Sequence, residues 1–107
     1  MERRRFARVK VSMMLKFKSL EAFEGIAAGS AGDLSQGGTF IHTKKVRKVG
    51  TPVEIELPVD DGETVMIRGI VRSIRYDKNE PSGMGIEFVD LDDRAGALIK
   101  SLLDKHK

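Results

Sequence analysis

Apolar and polar residues alternate near the start of this chain. Val9, Val11, Met13, Leu15 and Phe17 are separated by Lys10, Ser12, Met14 and Lys16. A period of two over about ten residues predicts a half-buried strand, apolar side inward. Residues 19–25 are a polar turn region closed by Gly25. From Ile26 to Leu34 small residues dominate, so periodicity is weak, but a strand with close backbone approach fits the glycines. Gly37-Gly38 signals a turn before the β-rich run Thr39 to Thr43.

Further along, Val53, Ile55 and Leu57 alternate with Glu54 and Glu56, and Asp61-Gly62 is a hairpin signal. The return strand runs from Thr64 to about Tyr76. Val65, Ile67, Gly69 and Val71 share one face, and Met66, Arg68, Ile70, Arg72 and Ile74 the other. A bulge or bend is expected near Gly69. Residues 77–83 read as an exposed loop, and Met84 to Val89 as the last strand. Asp90 to Asp93 offer N-cap chemistry to a terminal helix whose apolar positions are Ala95, Leu98, Ile99, Leu102 and Leu103. Its last turn carries Lys105, His106 and Lys107, which suit the negative end of the helix dipole. About six strands joined by hairpins, with one helix at the end, predict a mainly β protein, a small antiparallel barrel with the helix covering one opening.

Composition narrows the function. A chain of 107 residues is one domain, and no cysteine is present for a disulfide or a thiolate zinc site. With His42 and His106 far apart, no metal site is expected. No long apolar run or signal segment is present, so the expectation is a cytoplasmic protein without a membrane partner. No nucleophile, base and orienter can be assembled, so no enzyme is expected and no cofactor is called for.

Charge is unevenly placed. Residues 1–18 carry seven Lys and Arg against Glu2, a local charge of +6, whereas the remainder carries twelve against fifteen, −3. An anionic partner near the start of the chain follows. A second basic cluster, Lys44 to Lys48, reads as a solvated loop. Nucleic acid is a poor candidate, because no aromatic platform accompanies either cluster.

Two stretches carry candidate chemistry. Arg3, Arg4, Arg5 and Arg8 present planar donor forks that match a phosphate or the edge of guanine. In an extended arm Arg4 and Arg8 stand about 13 Å apart, the span of a dinucleotide-sized ligand. Asp33 can accept from guanine, Ser35 can bond a base or phosphate, and Gly37-Gly38 allows close backbone approach. Taken singly, the first stretch reads more simply as a solvated basic terminus and the second as a self-capped turn. Together they suggest a pocket for a phosphorylated, base-bearing ligand.

Arg4-Arg5-Phe6-Ala7-Arg8 is similar to the RxxxR signature, and Asp33-Leu34-Ser35-Gln36-Gly37-Gly38 to the (D/N)xSxxG signature, of PilZ domains, the bacterial receptors for cyclic di-GMP. Val49 to Pro52 and Gly83 to Phe88 agree with the same pattern, so the resemblance covers essentially the whole chain. It implies a six-stranded antiparallel PilZ-type barrel with a C-terminal helix: an arginine arm over 1–8, a barrel over 9–90 and a helix over 91–106. It also implies that Arg4 and Arg8 clasp phosphates and guanines while Asp33, Ser35 and Gly38 line the opposite wall. Arg3, Arg5 and Gly37 are implied as accessory contacts. By the same resemblance the protein signals without catalysis, in motility or exopolysaccharide regulation, by changing the surface it shows to a downstream effector. With the signature at the fourth residue, output is expected to pass through a separate protein. A PilZ-like interaction module that works without nucleotide is the alternative, and monomer and dimer are both open.

Overall fold

The computed structural model describes residues 8–21, 25–59 and 62–105, so Arg3, Arg4, Arg5, Asp61 and His106 lie outside the described residues. Six strands form: β1 (Val9–Ser19), β2 (Ala27–Leu34), β3 (Gly38–His42), β4 (Pro52–Pro58), β5 (Thr64–Asp77) and β6 (Glu80–Val89). They are followed by helix α1 (Asp93–Lys105). Every neighbouring pair is antiparallel, and the order β1-β2-β3-β6-β5-β4 closes because β4 also pairs with β1. Closure satisfies the edge hydrogen bonds that an open sheet would expose.

The alternating sequences supply the core. Leu15 and Phe17 of β1, Val53, Ile55 and Leu57 of β4, and Val65, Ile67 and Val71 of β5 are buried, with Ile41 of β3 and Met84 and Ile86 of β6. Ala95, Ile99, Leu102 and Leu103 of α1 join the same cluster, so the helix closes one end of the barrel. Asp92 is the N-cap: its Oδ1 accepts the Ala95 amide at 2.7 Å. Arg94 reaches Glu63 at 3.7 Å and ties the helix start to the β4–β5 turn.

Three expectations are corrected. Residues 77–83 are not a loop. Asp77 pairs with Glu80, and β6 runs from Glu80 through Pro81 and Ser82. The turn is only Lys78-Asn79, both at positive φ (52° and 69°), the conformation a tight hairpin of the right twist requires. Polar composition concealed a strand because this end of the hairpin is exposed on both faces.

β5 is irregular between Val71 and Ser73 and again between Arg75 and Tyr76, not at Gly69, which stays in register with both Val53 and Phe88; the first shift is the one that bears on the core. That shift changes the inward parity, so Ile74, expected on the outer face, packs against the core. Gly69 serves close approach instead, since a Cβ there would meet the Glu87 carbonyl oxygen at 2.8 Å.

Nor is Lys44 to Lys48 uniformly solvated. Val46 packs on the core and Arg47 is buried, its guanidinium 5.5 Å from the Phe17 ring centroid. Arg47 Nη1 donates to the Lys45 carbonyl at 2.8 Å. The long apolar stem allows an arginine to fill this end of the barrel while its head finds carbonyls and a ring face.

A left-handed conformation costs a residue with a Cβ about 1–2 kcal/mol. Replacing Lys78-Asn79 by Asn-Gly is therefore expected to stabilise the fold by about 0.5–1 kcal/mol. A urea midpoint equal to or below that of the wild type would contradict this account of the turn.

Candidate functional site

Strand registers place the 33–38 segment, and Arg8 with it, at the helix-covered end. Val9, at the start of β1, lies opposite Leu34, at the end of β2, and β3 begins at Gly38 beside Glu87 of β6. Arg8 therefore enters the barrel against the 33–38 segment, although it stands 25 positions before Asp33 in the chain.

A bulge aims Asp33. Ala27, Gly29 and Ala31 face inward, and strict alternation would turn Asp33 inward too. Between Ala31 and Asp33 the pairing with β3 slips, and the pairing with β1 also slips between Lys10 and Met13. Gly32 absorbs the extra residue, so Leu34 becomes the buried side chain and Asp33 reaches the surface. A Cβ at Gly32 would sit 2.2 Å from Nε2 of His42, so the exposed imidazole would have to swing aside to admit a larger residue.

Asp33 is then held by three residues, Arg8 and two of β3. Its Oδ1 accepts Nη1 of Arg8 at 2.7 Å and the Phe40 amide at 3.2 Å. The Thr39 hydroxyl, buried, donates to the Asp33 carbonyl at 2.6 Å. Both Arg8 and Asp33 side chains keep about a third of their surface exposed, 31% each. Water therefore screens the pair, which contributes about 0–1 kcal/mol to stability. It defines the position of the guanidinium more than it holds the fold together.

Ser35 works inward. Its Oγ accepts the amides of Gly37 and Gly38 at 3.1 and 3.2 Å, and its own amide donates to the Gly38 carbonyl at 2.9 Å. At 3% exposure the hydroxyl is committed to the turn. Gly37 continues outward through its carbonyl, which accepts the Phe88 amide at 2.9 Å. Ser35→Ala leaves buried amides without an acceptor and is expected to cost about 1–2 kcal/mol. The check is chemical denaturation, in which Ser35→Thr should recover most of the loss.

Gly38 is enclosed by backbone. A Cβ would lie 2.1 Å from the Ile86 carbonyl oxygen. The glycine thus lets β3 and β6 approach at the point where the turn enters the sheet.

Alongside Asp33 lies a surface that sequence reasoning did not single out. Phe40 packs on Gly83, where a Cβ would meet ring atom Cζ at 2.4 Å. The Arg75 guanidinium stands 4.2 Å from the Phe40 ring centroid, and His42 meets the same ring edge-on at 5.0 Å. Arg72 pairs with Glu87 through Nε at 2.6 Å, next to Gly38. The only sequence signal for this surface is the Gly83-x-Gly85 spacing within a strand, a mark of close approach. On the other side, Gln36 shares a cleft of about 480 Å³ with Leu91, Asp92, Gly96 and Lys100 at the start of α1.

Among the described residues no group of three potential metal ligands occurs, and no helix is long and apolar enough to cross a membrane. The groups that converge are a guanidinium donor, a carboxylate acceptor and glycine-rich backbone, a set suited to an anionic ligand that also offers hydrogen-bond donors.

Arg8 and an Asp-x-Ser-x-x-Gly turn thus meet at one end of a closed six-stranded barrel that the C-terminal helix caps. The sequence model described as "PilZ domain" matches residues 2–105, and the chain belongs to that family. Solved structures agree on the fold. The PilZ domain of CeSA from a cellulose-synthesizing bacterium superposes with a TM-score of 0.72 at 18% identity, over 92% of this chain and 96% of that one. The PilZ domain of Escherichia coli YcgR, solved with c-di-GMP, gives 0.75 at 15% identity over 98% and 92%. The Bacillus subtilis inhibitor of motility MotI/DgrA gives 0.75 at 19% identity over 98% of this chain and 51% of that one. The present chain thus spans about half the length of MotI/DgrA. No curated protein matches the sequence.

Proposed function

We propose that this chain is a receptor for cyclic di-GMP that passes the signal to a separate protein by changing its own surface. The observation that carries the reading is the Arg8–Asp33 contact, which joins the two family signatures at one barrel end. Support also comes from the family match and from PilZ neighbours solved with c-di-GMP.

In this reading Arg8 exchanges one anion for another. A ligand phosphate replaces Asp33 as acceptor for the guanidinium, and the Asp33 carboxylate turns to the donor edge of a guanine. The exchange is nearly isoenergetic for the protein, because the pair given up is exposed and weak. Arg4 supplies the second fork, with Arg3, Arg5 and Gly37 as accessory contacts. Ser35 and Gly38 contribute the opposite wall by fixing the turn and presenting its backbone at close range. No bond is made or broken in the ligand.

The 33–38 turn adjoins the start of α1 through Gln36. Bound ligand therefore alters a surface composed of arm, turn and helix, and a downstream effector reads that surface.

Isothermal calorimetry with cyclic di-GMP tests the proposal. Saturable heat is expected, together with a rise in melting temperature, since ligand at about 100 times its Kd adds about 2.7 kcal/mol to the folded state. Absence of heat and of a thermal shift at several hundred micromolar, roughly −5 kcal/mol on the affinity scale, would overturn it. In that event a nucleotide-independent interaction module is the reading that remains.

A further inference from the structure

We infer that the outer face of β1 and β4 is a self-complementary surface on which a second copy of this chain docks, with the two barrels related by a twofold axis parallel to these strands. The face lies on a different part of the barrel from the Arg8–Asp33 site, and the inference does not depend on nucleotide binding.

Three of the large apolar side chains most exposed to solvent gather here: Met14 (65%), Ile26 (67%) and Met66 (52%). They border two adjoining grooves lined also by Lys16, Lys18, Glu54, Glu56 and Pro58, the larger of about 300 Å³. Single exposed apolar residues are ordinary on a protein surface, whereas a cluster rimmed by charge marks a contact region.

The charges identify the occupant. Outward positions of β1 include Lys16 and Lys18, and those of β4 are Glu54 and Glu56. The register sets Lys16 opposite Glu56 and Lys18 opposite Glu54, the latter pair at 3.7 Å. A basic column therefore runs beside an acidic one at matched heights.

A twofold axis along the line between the columns keeps every height and exchanges the columns. Lys16 of each copy then faces Glu56 of the other, and Lys18 faces Glu54. Each cross-strand pair becomes part of a four-charge square of alternating sign. Met14 and Pro58, which line the larger groove together, are exchanged in the same way and place apolar surface against apolar surface. Met66 and Ile26 flank the smaller groove and cover the rim. An isologous interface needs a patch complementary to itself under rotation, and these columns meet that condition. A foreign partner would have no reason to share the matched heights.

The test is sedimentation velocity on the full chain across a concentration series, with charge-reversed variants. Lys16→Glu/Lys18→Glu makes both columns acidic, and Glu54→Lys/Glu56→Lys makes both basic. Wild type is expected to dimerise, each variant alone to remain monomeric, and an equimolar mixture to recover a heterodimer. All four side chains lie on the outer face of the barrel, none of them in the core, and circular dichroism establishes that each variant is folded. If a variant does not fold, Met14→Glu, which places an acid against Pro58 at the centre of the interface, is used in its place and is expected to abolish the dimer. A wild type that stays monomeric up to about 1 mM, a Kd weaker than about −4 kcal/mol, overturns the inference. So do reversed variants that dimerise as well as wild type, or a mixture that stays monomeric.

Discussion

Arg8→Ala is expected to weaken cyclic di-GMP binding by roughly 10- to 100-fold, the loss of one charge-assisted hydrogen bond of about 1.5–3 kcal/mol to phosphate. It is also expected to lower the melting temperature by no more than about 5 °C, because the Arg8–Asp33 pair is one-third exposed, screened, and worth at most about 1 kcal/mol. The separation of the two readouts is the informative part. A residue that mattered through the fold would move both.

Arg8→Lys sharpens the test, since it keeps the charge and removes the planar fork. Binding between that of wild type and alanine identifies the fork as the recognised feature. Asp33→Ala should behave differently again. Its carboxylate also accepts the Phe40 amide, so binding falls and stability drops by about 1 kcal/mol. Calorimetry with paired thermal melts checks all three. Unchanged affinity in Arg8→Ala would remove the arm from the mechanism.

The largest effect on the fold is expected at Gly38. A methyl group there meets the Ile86 carbonyl oxygen at 2.1 Å and the Ile86 carbonyl carbon at 3.2 Å. Both belong to backbone that is hydrogen-bonded into the sheet, so the obstacle cannot rotate away. Overpacking commonly costs about 1–3 kcal/mol, and a collision with backbone belongs at the upper end. For a domain of this size that is a fall of roughly 10–20 °C in melting temperature.

The Gly38→Ala strand must move away from β6, carrying with it the Ser35 turn and the Thr39 bond to Asp33. Binding is therefore lost together with stability, the opposite of the pattern expected for Arg8. Thermal denaturation settles the matter. A Gly38→Ala protein that melts within about 2 °C of wild type would show that β3 and β6 separate freely and that the glycine serves another purpose.

Some features were legible before any fold was known because they are local. The alternation of β1 and β4, the Asp90–Asp93 cap region and the periodic apolar stripe of α1 each follow from backbone geometry acting within a few residues. The aspartate that caps became specific only as Asp92, through its bond to Ala95. The two signatures were also legible, as residue types at fixed spacing. Less local features were misread. Polar composition disguised the start of β6, and Arg47 in a basic cluster gave no hint that a ring face and carbonyls awaited it at the barrel end.

The sequence by itself determined which residues face inward along the clean strands, where the helix starts, and which donors and acceptors the chain carries. Their periodicity and identity are properties of short segments. Tertiary structure decided the rest: that Arg8 meets Asp33, that the Gly32 bulge turns Asp33 outward, that Ser35 is consumed by its own turn, and that Lys and Glu columns stand at matched heights. Each of these depends on strand register across the closed barrel. Register is set by the packing of all six strands at once, so no single segment contains it.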